Sequence, residues 1–141
     1  MATGASNQQT ARAGEHFVAA ELNRCGAYAV TFAGNMPRID ILASDKEQKR
    51  TVSIQVKTRR SGTWQTSIDE GKKTKVKSGD THFWIFVDLV KGNVPPEYFI
   101  VPQGWIQKDI YLTHMAYLKK HGGTRKTKSD SKHHGISLKR I

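Results

Sequence analysis

The chain has 141 residues, which is enough for one domain with a single hydrophobic core. It carries 23 lysines and arginines against 12 acidic residues, and a net charge of +11 is typical of proteins that meet nucleic acid or an anionic membrane. The only cysteine, Cys25, excludes an internal disulfide and a cysteine-rich zinc site. Residues 1–9 lack the features of a secretory signal, and the longest apolar run, 83–87, is too short to span a bilayer, so we expect a cytoplasmic protein outside the membrane.

A helix followed by several strands is predicted for the first two thirds of the chain. Residues 9–24 form the helix, because apolar side chains such as Phe17 recur at three- and four-residue spacing, with Cys25 as a small core residue and Gly26 as the stop. Runs of β-branched and apolar residues then predict strands at 27–33, 38–43, 52–58, 82–90 and 97–101.

The remaining segments are less regular. Residues 64–68 are either a short strand or part of a loop that continues as the basic stretch 72–77. Residues 105–120 again have one apolar side and are predicted as the second helix. Residues 124–134 are basic and rich in Gly, Ser and Thr, which predicts a mobile loop, and 136–141 are a terminal strand or a tail.

This order of elements favours a mixed sheet with helices packed against it, an α/β or α+β domain. We divide the chain into a flexible N-terminus (1–8), one domain (9–122) and a basic loop with a terminal strand or tail (123–141).

Three polar residues stand where packing alone favours apolar ones. Asp40 lies between two isoleucines on one predicted strand, and Gln55 and Lys57 lie two apart on the next, so both point to the same face. Burying an unpaired carboxylate or ammonium costs several kcal/mol unless it is paired or holds a metal. Either this face is wet and Asp40 and Lys57 form a surface pair, or the residues form a divalent-metal site for phosphate chemistry.

The spacing of these residues resembles the PD-(D/E)xK nuclease superfamily, and within it the Holliday-junction-resolvase-like proteins. The resemblance covers roughly residues 9–60 and includes a glutamate in the first helix, Glu15, which directly follows a glycine. It implies an α/β, restriction-endonuclease-like mixed β-sheet flanked by helices. It also implies a DNA endonuclease that uses Mg²⁺ or Mn²⁺, and by analogy a homodimer.

The resemblance assigns a role to each residue. Asp40 and Glu15 correspond to acidic metal ligands, and Lys57 to the lysine that orients the attacking water and offsets charge in the transition state. Gln55 departs from the pattern, because an amide replaces a carboxylate; its oxygen can still bind a hard cation, but without a full charge. Glu21 is the alternative helix acid.

Basic residues next to this motif and in the later loop suggest contacts with the DNA backbone, which position DNA without reading its sequence. Trp64 is the candidate to stack on an exposed base. The full set of predicted contacts is Arg59, Arg60, Trp64, Lys72, Lys73, Lys75, Lys77, Lys126 and Lys128. Two other functions stay open: a non-catalytic DNA-binding module on the same fold, favoured by Gln55, and an RNA- or ribosome-associated basic protein.

Overall fold

A computed structural model describes residues 4–32, 36–75, 79–89, 94–122 and 132–141. Its two α-helices are α1 (Gly4–Arg24) and α2 (Gln103–Lys120). The strands within these ranges are β1 (Tyr28–Thr31), β2 (Ile41–Ser44), β3 (Thr51–Arg59), β4 (Trp64–Ser67), β5 (His82–Asp88), β6 (Glu97–Pro102) and β7 (His133–Ile136). Short 3₁₀ helices at Ile68–Glu70 and Leu138–Arg140 follow β4 and β7.

The strands form a five-stranded mixed sheet in the order β1-β2-β3-β5-β6 and a separate pair, β4-β7. Neighbours in the large sheet are antiparallel except β3 and β5, which run parallel. Each helix packs on a different face of this sheet. The predicted α/β class, a mixed β-sheet flanked by helices, is confirmed. Neither described helix contains an apolar stretch that could span a bilayer.

Strand β5 shows why the centre of the sheet is buried on both sides. Its residues Trp84 to Val87 are all buried, because odd and even positions face different helices. On one face, Ile85 and Val87 pack with Val18 of α1. On the other, Trp84 and Phe86 pack with α2 and with the β4-β7 pair.

Several predicted boundaries differ from the structure. Helix α1 begins at Gly4 rather than at residue 9; residues 6–9 are polar, and apolar spacing therefore gave no sign of these turns. The last described strand is β7, earlier than the predicted 136–141. It pairs with β4, so residues 64–67 of the ambiguous segment are a strand, and Ile68 begins a 3₁₀ helix. The predicted mobile loop lies outside the described residues except at its end, and the domain limits stay a prediction.

Two residues predicted for the core of α1 are exposed. Phe17 is 44% exposed and Cys25 is an exposed free thiol. Val18 and Leu22 contact the sheet instead, because only one side of the helix faces it. The prediction that Cys25 is a small core residue is therefore wrong.

Gly14 allows α1 to lie directly on β3. A Cβ atom at this position would lie 1.7 Å from Thr58 Oγ1 and within 3 Å of Thr58 Cβ and Cγ2. Rotation of the threonine cannot relieve three such contacts. Gly14→Ala is therefore expected to destabilise the fold by about 1–3 kcal/mol, although alanine alone favours helix by about 1 kcal/mol. Urea unfolding measures the change.

The matched control replaces the threonine as well. Gly14→Ala/Thr58→Gly removes the obstructing side chain, so the double variant is expected to recover stability relative to Thr58→Gly alone. A single Gly14→Ala variant as stable as wild type would contradict the close packing of α1 on β3.

Candidate active site

Asp40 directly precedes β2, and its side chain takes the place of a backbone carbonyl in the hydrogen bonding to β3. Its backbone N–H donates to the Ile54 carbonyl at 2.9 Å, and its Oδ2 accepts the Val56 N–H at 2.7 Å. The carboxylate is half-buried and fixed to the sheet. No salt bridge within 4 Å joins it to Lys57 in the described chain, so a simple surface pair does not describe this site.

Lys57 lies on the α2 side of β3, half-buried, with its Nζ 5.5 Å from the centre of the Trp84 ring. Burial lowers the pKa of the Lys57 ammonium, and the negative charges of Asp40 and Glu70 oppose this shift. The lysine therefore carries a partly desolvated charge beside two carboxylates.

Gln55 occupies the same side of β3 as Lys57. Its cross-strand neighbour on β5 is Trp84. Along the edge of β3 that pairs with β2, the last paired residues are Ile41 and Ile54. Asp40 and Gln55 are therefore the next positions in that register. The register therefore brings an amide next to the anchored carboxylate.

Glu15 approaches the hairpin from α1, and only 16% of its side chain is exposed. Burial raises the pKa of its carboxyl, and the charge of Asp40 raises it further, while the nearby Arg12 lowers it. Arg12 Nη1 lies 3.0 Å from Glu15 Oε2. Glu21 instead pairs with Arg24 and has a lowered pKa for that reason, so Glu15 is the helix acid that acts on Asp40.

The donor chemistry fits a divalent cation. Two partly buried carboxylates, Glu15 and Asp40, repel one another, and a bound cation would relieve both the burial and the repulsion. Gln55 can add a neutral oxygen. Within the described ranges no three His, Cys, Asp or Glu side chains cluster as a metal site.

Glu70 is a further residue of the site that the sequence motif does not include. Its side chain is 16% exposed, lies 3.8 Å from Arg38 and acts on Lys57. The 3₁₀ helix that carries it is brought beside β3 by packing on α2, which no local pattern reveals.

One predicted nucleic-acid contact, Trp64, is wrong, and a second, Arg59, forms an ion pair within the fold. Arg59 pairs with Asp88 across β3 and β5 at 2.7 Å, each side chain being 13% exposed, so its charge is used within the fold. Trp64 is fully buried, and its Nε1 donates to the Val87 carbonyl at 2.9 Å, with Arg59 stacked 4.0 Å from its ring centre. No face of the indole is open to a base.

The other predicted contacts divide into two sets. Arg60, Lys72, Lys73 and Lys75 are exposed, and their role in binding DNA stays a prediction. Lys77, Lys126 and Lys128 lie outside the described residues.

The raised pKa of Glu15 has a consequence for stability. Because the native state holds the Glu15 proton more tightly than the unfolded state, ionising this carboxyl destabilises the fold. The loss of stability is absent below the pKa in the unfolded state and complete above the pKa in the native state. Glu15→Gln is therefore expected to raise the melting temperature of the metal-free protein by about 1–3 °C at pH 7 but not at pH 4. Differential scanning calorimetry measures both values.

The control is Glu21→Gln on the same helix. Since pairing with Arg24 lowers the pKa of Glu21, neutralising it is expected to leave the melting temperature at pH 7 unchanged or slightly lower. Mg²⁺ is expected to stabilise wild type more than Glu15→Gln. A gain of stability in both variants at pH 7 would contradict the crowding of Glu15 against Asp40.

No protein family matches this chain, and no curated protein sequence matches it. Among solved structures, the Holliday junction resolvase Hjc of the archaeal hyperthermophile Archaeoglobus fulgidus is similar over 73% of this chain and 88% of its own, with 18% identity and a TM-score of 0.47. A bacterial homing endonuclease is similar over 86% of this chain and 96% of its own, with 11% identity and a TM-score of 0.39. At these identities and TM-scores, neither similarity carries an argument about what this chain does.

Proposed function

We propose that this chain is a metal-dependent phosphodiesterase that acts on DNA, an endonuclease selective for the structure or context of its substrate. The observation that supports this most is the position of Asp40. Its carboxylate is fixed on the Val56 N–H at the open end of the hairpin, and its charge acts both on Glu15 of α1 and on Lys57 of β3. Two acids and an ammonium in one place match what phosphodiester hydrolysis requires.

Each residue has a distinct task in this proposal. Glu15, Asp40 and Gln55 would hold a divalent cation, Mg²⁺ or Mn²⁺, which when bound activates water and neutralises phosphate charge. Lys57, as an ammonium, stabilises the negative charge that develops on the phosphate. Asp40 keeps its orientation through the Val56 N–H, so its geometry is set before substrate arrives.

DNA as the substrate is supported by the charge of the chain and by exposed cations near the site. Arg60 directly follows β3, and Lys72, Lys73 and Lys75 lie in the segment after Glu70. Such residues bind backbone phosphates without reading bases. Selectivity would then come from the shape of the DNA.

Gln55 supports the second candidate, a DNA-binding module with weak or no catalysis. A neutral oxygen in place of a carboxylate binds a cation less strongly, because it contributes no full charge. In this case the chain binds DNA, and Glu15 and Asp40 have no catalytic role.

Cleavage of a matched panel distinguishes these functions. Branched DNA, duplex DNA, single-stranded DNA and RNA of one sequence are incubated with wild type at fixed salt, with Mg²⁺, Mn²⁺ or EDTA. Metal-dependent nicking of DNA that the Asp40 and Lys57 variants lack supports the nuclease. Binding without cleavage by wild type supports the module, and preference for RNA would contradict both.

A further inference from the structure

A cavity of about 440 Å³ opens beside Lys57, between the first turns of α1 and the chain that leaves β3. Hydroxyl and amide groups line much of it, including Ser6, Asn7 and Thr10 on α1. Lys57, Arg59 and Arg60 provide the charge, and no acidic side chain is among the described residues of its wall. A volume of this size is typical of a site for one small ligand, and the lining favours an anion with several hydrogen-bonding groups.

The last residues of β3 line this cavity, and β2 does not pair with them. Strand β2 pairs with β3 only up to Ile54, and Asp40 then takes the Val56 N–H. Because backbone groups of alternate residues point to the same side of a strand, the Thr58 N–H points the same way as the Val56 N–H. No strand of the described chain pairs with β3 there, and Thr58 is among the residues that line the cavity.

The cations in the wall are not equivalent. Arg59 is held by Asp88 and by the Gly62 carbonyl. Lys57 belongs to the candidate active site. Arg60 is exposed at the mouth, which makes it the arginine that can pair with a phosphate as a ligand enters.

We propose that this cavity binds the nucleotide next to the phosphodiester that is cleaved, with Arg60 and the Thr58 N–H on its phosphate and the α1 side chains on its sugar or base. This inference depends on the proposed function, and it specifies the substrate further. A nucleotide within a duplex is stacked and paired, so one at a branch, nick or strand end enters such a cavity at lower cost.

Binding of thymidine 3′,5′-bisphosphate to the full chain, without metal, tests the proposal. In ¹⁵N-resolved NMR spectra, the amides of Ser6, Asn7, Thr58 and Gln65 are expected to shift most. Arg60→Ala is expected to weaken binding roughly tenfold, since an arginine-phosphate hydrogen bond is charge-assisted. Inorganic phosphate is expected to bind at least about tenfold more weakly than the nucleotide, because it leaves the α1 side chains unused.

The matched control is Lys49→Ala, which removes an exposed positive charge from the β2–β3 turn at the far end of β3. It is expected to change affinity less than about twofold. Equal losses in both variants, or shifts spread over the basic surface, would overturn the cavity site. If the protein cleaves DNA but the bisphosphate does not bind in the cavity, the cavity site is wrong and the proposed nuclease function stands. If the bisphosphate binds in the cavity but the protein cleaves no DNA, the nuclease function is wrong and the cavity is a nucleotide site.

Discussion

Asp40→Asn is expected to lower metal-dependent cleavage of DNA by at least about a thousandfold. Asparagine has the shape of aspartate and keeps an oxygen that can accept the Val56 N–H, so the end of the hairpin keeps its geometry. What it removes is the charge that, with Glu15, would hold the cation. Single-turnover cleavage at saturating Mg²⁺ measures the loss, and calorimetric titration of Mg²⁺ measures the binding directly.

The chain offers a close control in Asp45, at the other end of the same hairpin. Its Oδ1 also accepts backbone N–H groups, those of Lys49 and Arg50 at 2.8 and 3.0 Å. Asp45→Asn therefore makes the same chemical change to a carboxylate with a similar structural task. If it lowers cleavage as much as Asp40→Asn does, Asp40 acts through the hairpin and not through a cation.

Lys57→Met is expected to change activity and stability in opposite directions. Cleavage is expected to fall by about 10²–10³, because a preorganised cation beside the phosphate is lost. Stability at pH 7 is expected to rise, because the pKa of Lys57 is lowered by burial. In the native state Lys57 binds its proton less tightly than in the unfolded state, so charging this lysine destabilises the fold. The loss of stability is absent above the unfolded-state pKa near 10.5 and complete below the native-state pKa.

Thermal unfolding at pH 7 and cleavage rates on one preparation measure both effects. Lys49→Met is the control, because this lysine is exposed and lies away from the site. A Lys57→Met variant that is both slower and less stable would indicate that the lysine supports the fold, and would remove it from the proposed chemistry.

The hairpin that carries Asp40 and Lys57 was predictable from sequence, because strand alternation is a local property with period two. The helix that carries Glu15 was predictable for a similar reason, although its first turns were not. The residues that were misjudged depend on partners far away in the chain. Arg59 resembled a DNA contact until the parallel β3–β5 register placed Asp88 opposite it.

Trp64 and Glu70 illustrate the same limit from opposite sides. An indole among basic residues suggests a surface for stacking, yet the β4–β7 pair and β5 enclose it. An acid in a polar turn suggests solvent, yet packing of that turn on α2 brings it near Lys57. In both cases the burial results from packing between distant segments. Helix and strand propensities and the spacing of apolar residues report local structure and do not predict such packing.

The pairing of β7 with β4 has a consequence for how the two sides of the sheet assemble. Trp64 and Ile136 are matched in register although about seventy positions separate them, so joining them closes a long loop. Contacts between α1, β2 and β3 close much shorter loops. Because contacts between nearby segments form faster than distant ones, we expect the hairpin side to assemble before β7 docks and completes the hydrophobic layer that contains Trp64.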